Sequence, residues 1–330
     1  MDRKNTVFLI IPAVSLLLIA VLWLSLGGVF RAGAAEKPRV TVILKTTERV
    51  VDFWKRLEEG VLQAAEDFNV EVDITGPPTE RHIDDQVNIF NNAIKDKPDV
   101  VILAAADYEK LVDPVEKSVS MDIPVLTVDS FVNSDAPLSQ IGTANFDAGG
   151  KLAGYLKEKL PEGAVIAILS YVRESSTAIE REQGLRAGVA GYFTVLPTLY
   201  NNGKIETAAV QSVSLLNRVP APSALVALNE NSALGLLQGI AETGGRTSTI
   251  FLTFDSNLEI IEGIKNGLID GTVVQKPYNM GYQAVKAAAG LLDGQVPPKK
   301  IDTGSELVTA ENLFSPIIQK LIFPTEFSGE

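Results

Sequence analysis

Short apolar runs alternate with longer amphipathic segments along the chain from residue 39 onward. The apolar runs are rich in Val and Ile, as are strands that are buried on both faces of a parallel sheet. The segment 52–69 is of the other kind, because Leu57, Val61, Ala65 and Phe68 recur at helical spacing. The pattern predicts strands at residues 40–45, 70–75, 100–105, 124–129, 141–144, 164–171, 193–200, 224–229, 249–255, 271–275 and 301–308.

This alternation of strands and helices predicts an α/β fold made of two doubly wound lobes. A length of 330 residues fits two domains at roughly 100–200 residues each. Pro and Gly residues separate many of the elements, but no low-complexity linker divides the chain into halves. We therefore expect the chain to cross between the lobes at several short points.

The N-terminal segment has a different pattern, with no charged residue from 7 to 30. As a helix this run spans about 36 Å, which is enough to cross a hydrocarbon core of about 30 Å. Arg3 and Lys4 precede it and favour an N-terminus inside the cell. Two interpretations stay open: a signal peptide cleaved near Ala32-Gly33-Ala34, or an uncleaved signal anchor. The length of the run favours the anchor, because cleaved signals have shorter apolar cores.

Charge and composition exclude several classes of function. The chain has 29 basic and 41 acidic residues, a net charge of -12, and the first 35 residues carry +2, so the rest carries -14. This acidity argues against nucleic acid as a partner. The chain contains no Cys, which excludes disulfides, thiolate metal sites, Cys nucleophiles and a lipidated cysteine. His82 is the one histidine and opens a predicted helix, so we expect neither a metal nor a cofactor.

Polar side chains follow the carboxyl ends of several predicted strands, where ligands bind in open α/β sheets. One such side chain is as often a helix cap or a turn residue, so the hypothesis depends on the whole set. Aromatic rings can cover the C–H face of a sugar, and charged groups form strong hydrogen bonds with its hydroxyls. The set is Asp52-Phe53-Trp54, Asp129-Ser130-Phe131, Arg173, Arg181, Asn229-Glu230, Asp255-Ser256 and Gln275.

Several motifs occur in a specific order over residues 39–310, which resemble the periplasmic ribose-binding-protein family of type I solute-binding proteins. The motifs are Val51-Asp52-Phe53-Trp54, Ile123-Pro124-Val125 before Asp129-Ser130, Ile141-Gly142-Thr143, Glu182-Gln183-Gly184, Ala227-Leu228-Asn229-Glu230, Phe254-Asp255 and Val274-Gln275-Lys276-Pro277. The resemblance implies two Rossmann-like lobes joined by a three-segment hinge. One lobe would comprise 39–143 and 276–302, and the other 144–275 and 303–315, with the signal segment 1–38 before them and a tail at 316–330.

The resemblance also implies which residues bind the ligand. The family's first-loop ligands correspond to Asp52, Phe53 and Trp54, its acidic ligand to Asp129, and its clamping arginine to Arg181. The remaining ligands correspond to Asn229, Asp255 and the hinge glutamine Gln275. Three features depart from the pattern: Ser130 replaces an arginine, Asp52 replaces an asparagine, and a second-lobe aromatic is replaced near Asn201-Asn202. These departures leave the sugar class intact and count against ribose itself.

The function expected from this resemblance is binding of a monosaccharide, with pentoses such as xylose or ribose favoured, and no catalysis. The receptor would deliver sugar to an ABC permease or report it to a membrane histidine kinase, as do similar membrane-anchored xylose-binding sensor proteins. It would stand at the extracytoplasmic face of a bacterial cell membrane, or in the periplasm if the signal is cleaved. A sugar-modifying enzyme and an autoinducer-type signal receptor remain the alternatives.

Overall fold

The computed structural model describes residues 36–48, 52–218, 220–244 and 248–322. Its contacts divide the chain into Met1–Lys37 and Pro38–Glu330, and all the elements below belong to the second unit. The transmembrane run predicted at 7–30 lies outside the described residues. Within the described residues, no helix has both the length and the apolar character of a membrane span.

The first lobe is built on a six-stranded sheet in which all neighbouring strands are parallel. The strands are β1 (Arg39–Ile43), β2 (Glu71–Thr75), β3 (Val100–Leu103), β4 (Val125–Val128), β5 (Ser139–Gly142) and β12 (Lys300–Asp302). Their order in the sheet is β12-β5-β4-β3-β1-β2, so the first strand lies next to one edge and a late strand forms the other edge.

The second lobe is built on a seven-stranded sheet. Its strands are β6 (Val165–Ser170), β7 (Thr194–Val195), β8 (Leu199–Tyr200), β9 (Ala224–Ala227), β10 (Ile250–Phe254), β11 (Gly271–Val274) and β13 (Glu306–Thr309). Their order is β13-β11-β10-β9-β6-β7, and β8 also pairs with β6. Only the pair β11–β13 is antiparallel among the described pairs of this sheet.

Helices pack on both sheets, and several of them begin with residues that are typical of helix N-termini. The side chains of Asn229 and Asn257 each cap the helix that follows, because each accepts a hydrogen bond from the backbone N–H of the third residue of that helix. Pro277 stands in the first turn of its helix, where it replaces an amide that has no partner. The helices are α1 (Asp52–Asp67), α2 (Ile83–Ala93), α3 (Val112–Ser120), α4 (Asn145–Lys159), α5 (Ser176–Val189), α6 (Ile205–Leu216), α7 (Glu230–Glu242), α8 (Leu258–Lys265), α9 (Pro277–Leu292) and α10 (Pro316–Ile322).

The α/β two-lobe fold predicted from the sequence is confirmed. The chain passes between the sheets three times: from β5 to α4, from β11 to α9, and from β12 to β13. At the first crossing, Thr143 Oγ1 donates to Gln275 Oε1 at 3.0 Å, which joins two of the crossing segments. The exact lobe boundaries given above stay a prediction.

Two predicted strands and the predicted tail differ from the structure. Residues 193–200 form two short strands, β7 and β8, because Pro197 lies between them and has no amide hydrogen for the ladder. Residues 301–308 belong to two strands in different sheets, separated by Gly304 at φ +77. Part of the tail forms α10, whose Ile318 and Ile322 are buried in the core of the second lobe.

The helix α9 returns to the first lobe and packs closely against α1. A Cβ on Gly281 would lie 2.1 Å from the backbone oxygen of Leu57, and one on Gly60 would lie 2.0 Å from that of Tyr278. Such distances are far inside van der Waals contact, so both positions require glycine. The two helices cover one face of the first sheet with side chains such as Val61 of α1 and Val285 of α9.

Candidate functional site

A cleft lies where the carboxyl ends of the strands of both sheets meet. Both lobes supply its walls, as the positions of Lys45 after β1 and of Asp255 after β10 illustrate. Open α/β sheets present ligand sites at this edge. The cleft is lined by Lys45, Phe53, Trp54, Glu80, Asp129, Tyr171, Thr177, Arg181, Asn229, Glu230, Asn231, Asp255 and Gln275.

The structure brings seven of the eight predicted ligand residues to this cleft. They are Phe53, Trp54, Asp129, Arg181, Asn229, Asp255 and Gln275. Asp52 is the exception: it lines a small cavity beside the cleft, and its backbone N–H points at Glu230 Oε1 at 3.4 Å.

The aromatic pair stands in the first turn of α1. The rings of Phe53 and Trp54 pack edge to face with centroids 5.0 Å apart, and both side chains are buried. The indole Nε1 of Trp54 donates to Glu80 Oε1 at 3.1 Å, which fixes the orientation of the ring. Burial raises the pKa of Glu80, although Lys45 acts in the opposite direction.

Lys45 connects the two lobes across the cleft. Its Nζ lies 3.0 Å from Asp129 Oδ2 in the first lobe, and it donates to Ser175 Oγ at 3.1 Å and Thr177 Oγ1 at 3.5 Å in the second. Burial alone would lower the pKa of Lys45, but the carboxylates of Asp129 and Glu80 outweigh it and raise the pKa above the ordinary value. The raised pKa favours the cationic form of Lys45, which pairs with Asp129.

Asp129 and Asp255 occupy equivalent positions in the two lobes. Asp129 directly follows β4 at φ +62, and Asp255 directly follows β10 at φ +75. This left-handed conformation is uncommon outside glycine and is typical of residues held at functional sites. The turn presents each carboxyl group at the edge of its sheet, facing the cleft.

Arg181 is held rigidly within α5. Its Nε donates to Asn145 Oδ1 at 2.8 Å and its Nη1 to the backbone oxygen of Leu228 at 2.8 Å. The guanidinium lies 4.4 Å from the ring centroid of Phe254, and only 3% of the residue is exposed. Since a guanidinium has five N–H donors, those not used by these two bonds remain available to a ligand in the cleft.

A chain of hydrogen bonds connects the hinge to the second lobe. Gln275 accepts from Thr143 Oγ1 and donates from Nε2 to Asp255 Oδ1 at 2.6 Å. The other carboxylate oxygen of Asp255 accepts from the backbone N–H of Glu230 at 2.9 Å. Gln275 thus fixes Asp255 while standing at a crossing between the lobes.

Glu230 is an acid of the cleft with a strongly raised pKa. Burial, reinforced by the neighbouring charges of Asp255 and Asp52, raises its pKa from 4.5 to about 8. Its Oε1 accepts from Asn257 Nδ2 at 3.2 Å as well as facing the amide of Asp52. Neighbouring Asn229 uses its Oδ1 to cap α7, which leaves its amide N–H groups for a ligand.

Sequence reasoning missed some residues of the cleft. Lys45 ends the first predicted strand, so its position was a signal, whereas Glu230 belongs to the set of strand-end polar residues but not to the ligands that the resemblance implies. Glu80 lies in an irregular loop after β2, and nothing in the sequence pointed to it. Within the described residues, no cluster of His, Asp and Glu has the arrangement of a metal site, and His82 instead contacts Thr79 Oγ1 at 2.7 Å.

Acidic groups outnumber basic ones in the cleft. The carboxyl groups belong to Glu80, Asp129, Glu230 and Asp255, and the cations to Lys45 and Arg181. The raised pKa of Glu230 favours its protonated form, which reduces this excess and supplies a donor. The cleft therefore presents fixed donors and acceptors beside an aromatic surface.

A comparison with protein families decides the family of this chain. The periplasmic binding protein domain matches residues 40–295, which include most of both lobes and every residue of the cleft. The chain belongs to the periplasmic binding protein domain family. Membership implies an extracytoplasmic location, and it confirms the resemblance found in the sequence.

Individual relatives of this periplasmic binding protein agree with the family match. The fructose import binding protein of Bifidobacterium longum is 24% identical over 93% of this chain and 94% of its own length. The ribose import binding protein of Salmonella typhimurium is 25% identical over 86% of this chain and 95% of its own. The solved ABC transporter solute-binding protein of Agrobacterium vitis with bound D-fucose is 29% identical, with a TM-score of 0.82 over 86% of this chain and 99% of its own.

Proposed function

We propose that this protein is an extracytoplasmic receptor that binds a monosaccharide in the cleft between its lobes and performs no chemistry. The observation that carries the proposal is the combination in one cleft of the Phe53–Trp54 surface with buried, fixed polar groups from both lobes. A sugar has an apolar C–H face and a rim of hydroxyls, each of which donates and accepts. The names of the relatives above support the same class of ligand.

The polar groups of the cleft include both hydrogen-bond donors and hydrogen-bond acceptors for the hydroxyls of a sugar. Arg181 and the amide of Asn229 donate, whereas the carboxylates of Asp129 and Asp255 accept. Because bonds to charged groups contribute about 1.5–3 kcal/mol each, a few of them outweigh the desolvation of a hydroxyl. We favour a pentose such as xylose or ribose as the ligand.

Binding would stabilise the closed arrangement of the lobes. The lobes already touch at the cleft: Phe131 N–H donates to Ser176 Oγ at 3.0 Å, and Tyr108 N–H donates to the backbone oxygen of Glu174 at 2.8 Å. A ligand that contacts Trp54 from one side and Arg181 from the other adds to these contacts only when the lobes are closed.

Calorimetry with a panel of pentoses and hexoses tests the proposed function. We expect one or a few sugars to bind with a stoichiometry of one, and chromatography to recover the bound sugar unchanged. Conversion of the sugar by the purified protein would instead support the enzyme alternative. Absence of binding across the panel would refute the sugar receptor and leave the autoinducer-type receptor as the candidate.

We further propose that the run at 7–30 anchors the receptor in the membrane and that it reports sugar to a sensor histidine kinase. The run is long for a cleaved signal, and the chain has no Cys for a lipid anchor. Co-purification from native membranes tests this role. Recovery of a histidine kinase supports it, whereas recovery of a permease and its ATPase without a kinase assigns the receptor to an ABC transporter.

A further inference from the structure

A second and larger cavity adjoins the cleft on the side of the loop after β8. This outer cavity has a volume of about 200 Å³, against about 40 Å³ for the cleft. Glu80 and Asn231 line both spaces, so the two cavities are adjacent. The outer cavity is lined by Thr46, Glu48, Thr79, Glu80, Arg81, Asn202, Gly203, Lys204, Ile205, Glu206 and Asn231.

Small polar residues form the boundary on the side of the second lobe. Asn201 is buried and held by its own bonds: its Nδ2 donates to Ser232 Oγ at 2.7 Å, and its Oδ1 accepts from Gly203 N–H at 2.9 Å. Asn231 Nδ2 donates to the backbone oxygen of Gly203 at 2.9 Å. The loop is therefore fixed in place, and it contributes Asn202, Gly203 and Lys204 to the lining of the outer cavity.

The outer cavity offers hydrogen-bonding groups of both charges, and its apolar surface comes from Ile205 and from the carbon atoms of polar side chains. Arg81 and Lys204 are exposed, and neither forms an ion pair with another described residue. The carboxylates of Glu48 and Glu206 stand in the same lining. A phosphate or other strong anion would meet these carboxylates, and an apolar group would find one apolar side chain, Ile205, in the lining. A neutral group with many hydroxyls satisfies both the donors and the acceptors.

We propose that the outer cavity is a second sugar subsite, so that the preferred ligand is a disaccharide with one ring in the cleft. This inference rests on the proposed function, because it assumes that the cleft holds a sugar ring. The second ring would touch residues of both lobes, Arg81 from the first and Lys204 from the second. It would therefore add to closure as well as to affinity.

Calorimetry with matched pairs of sugars tests the subsite on the full chain, kept in a detergent without a sugar headgroup. The pairs are xylose with xylobiose, glucose with cellobiose, and galactose with lactose. The second ring would add two or more hydrogen bonds to charged groups. We therefore expect that, in at least one pair, the disaccharide binds at least about tenfold more tightly than its monosaccharide. If monosaccharides bind but no disaccharide binds more tightly than its monosaccharide, the subsite is refuted and the proposed function stays intact. Absence of binding by every sugar would overturn both.

The double variant Arg81→Ala/Lys204→Ala locates the gain in affinity. Neither residue lines the cleft, so we expect the affinity for the monosaccharide to stay within about twofold while most of the disaccharide's advantage is lost. The control is Lys286→Ala, an exposed lysine on α9 outside both cavities, which should change neither affinity. An advantage that survives the double variant would overturn the assignment to the outer cavity. The single variants give the same contrast if the double variant folds poorly.

Discussion

Replacing Glu230 by Gln should flatten the pH dependence of stability between about pH 5 and 8. In the folded protein the carboxyl group is buried beside Asp255, and its pKa is raised from 4.5 to about 8. The folded state therefore holds a proton that the unfolded state releases throughout this range. Since the folded state binds more protons, the free energy of unfolding falls as the pH rises through the window, and the stabilisation is fully present only below about pH 4.5.

The size of the effect follows from the two pKa values. Each unit of difference is worth about 1.36 kcal/mol, so the interval from 4.5 to about 8 corresponds to about 5 kcal/mol in total. The slope contributed by Glu230 is about 1.36 kcal/mol per pH unit inside the window. That total is comparable to the whole stability of many domains. Burial also raises the pKa values of Glu80 and Asp255, so Glu230→Gln should remove only part of the dependence.

Urea unfolding of the wild type and of Glu230→Gln at half-unit steps from pH 4.5 to 8.5 measures this slope. The control is Glu262→Gln on α8, an exposed glutamate whose replacement should leave the wild-type curve unchanged. Glutamine keeps the shape and an N–H donor at every pH, so the variant should be relatively more stable near pH 8 than near pH 5. Parallel curves for wild type and Glu230→Gln would refute the account of Glu230 as a buried, protonated acid.

Four other substitutions test the packing and the cleft. Lys45→Met should lower the free energy of unfolding by about 3–5 kcal/mol, because it leaves the buried carboxylate of Asp129 unpaired. The double variant Lys45→Met/Asp129→Asn should recover much of this lost stability in urea titrations. Additive losses of stability from the two substitutions would contradict the pairing. Trp54→Ala should weaken sugar binding at least about tenfold in calorimetry, with Trp54→Phe retaining more, because the ring offers the sugar an apolar face. Arg181→Ala should weaken binding comparably, since charged hydrogen bonds are lost, and wild-type affinity in both alanine variants would show that the site is misassigned. Gly281→Ala should destabilise the first lobe by about 1–3 kcal/mol, because its Cβ would meet the oxygen of Leu57 at 2.1 Å, and an unchanged melting temperature would contradict the close packing.

The sequence predicts the alternation of elements well where apolar runs are bounded by polar turns. The run at 224–229 and the strand β9 illustrate this, because every residue of β9 is buried and Asn229 marks its end as a helix cap. Prediction fails where a turn interrupts an apolar stretch without breaking its pattern. Residues 301–308 read as one strand, yet Asp302 Oδ1 accepts from Gly304 N–H and from Ala144 N–H, and the chain leaves one sheet for the other.

The residues of the candidate site that directly follow a strand could be predicted from the sequence. Asp129 and Asp255 follow their strands directly, so the rule for open α/β sheets is sufficient to place them. Glu80 could not be found in this way, because it reaches the cleft from a loop whose path depends on tertiary packing. The shared wall formed by Glu80 and Asn231 likewise depends on contacts between residues far apart in the chain.

The order of elements in the first sheet constrains how the protein is made. The edge strand β12 and the covering helix α9 come from residues 277–302, so the first lobe lacks an edge and a covering helix until nearly the whole body has been synthesised. Until then α1 has no partner for the surface around Leu57 and Val61. A chain that emerges from its N-terminus can therefore not complete its first lobe until residues 277–302 have followed. A chain cut before residue 277 would expose the apolar face of α1 and would be prone to aggregation instead of forming half a receptor.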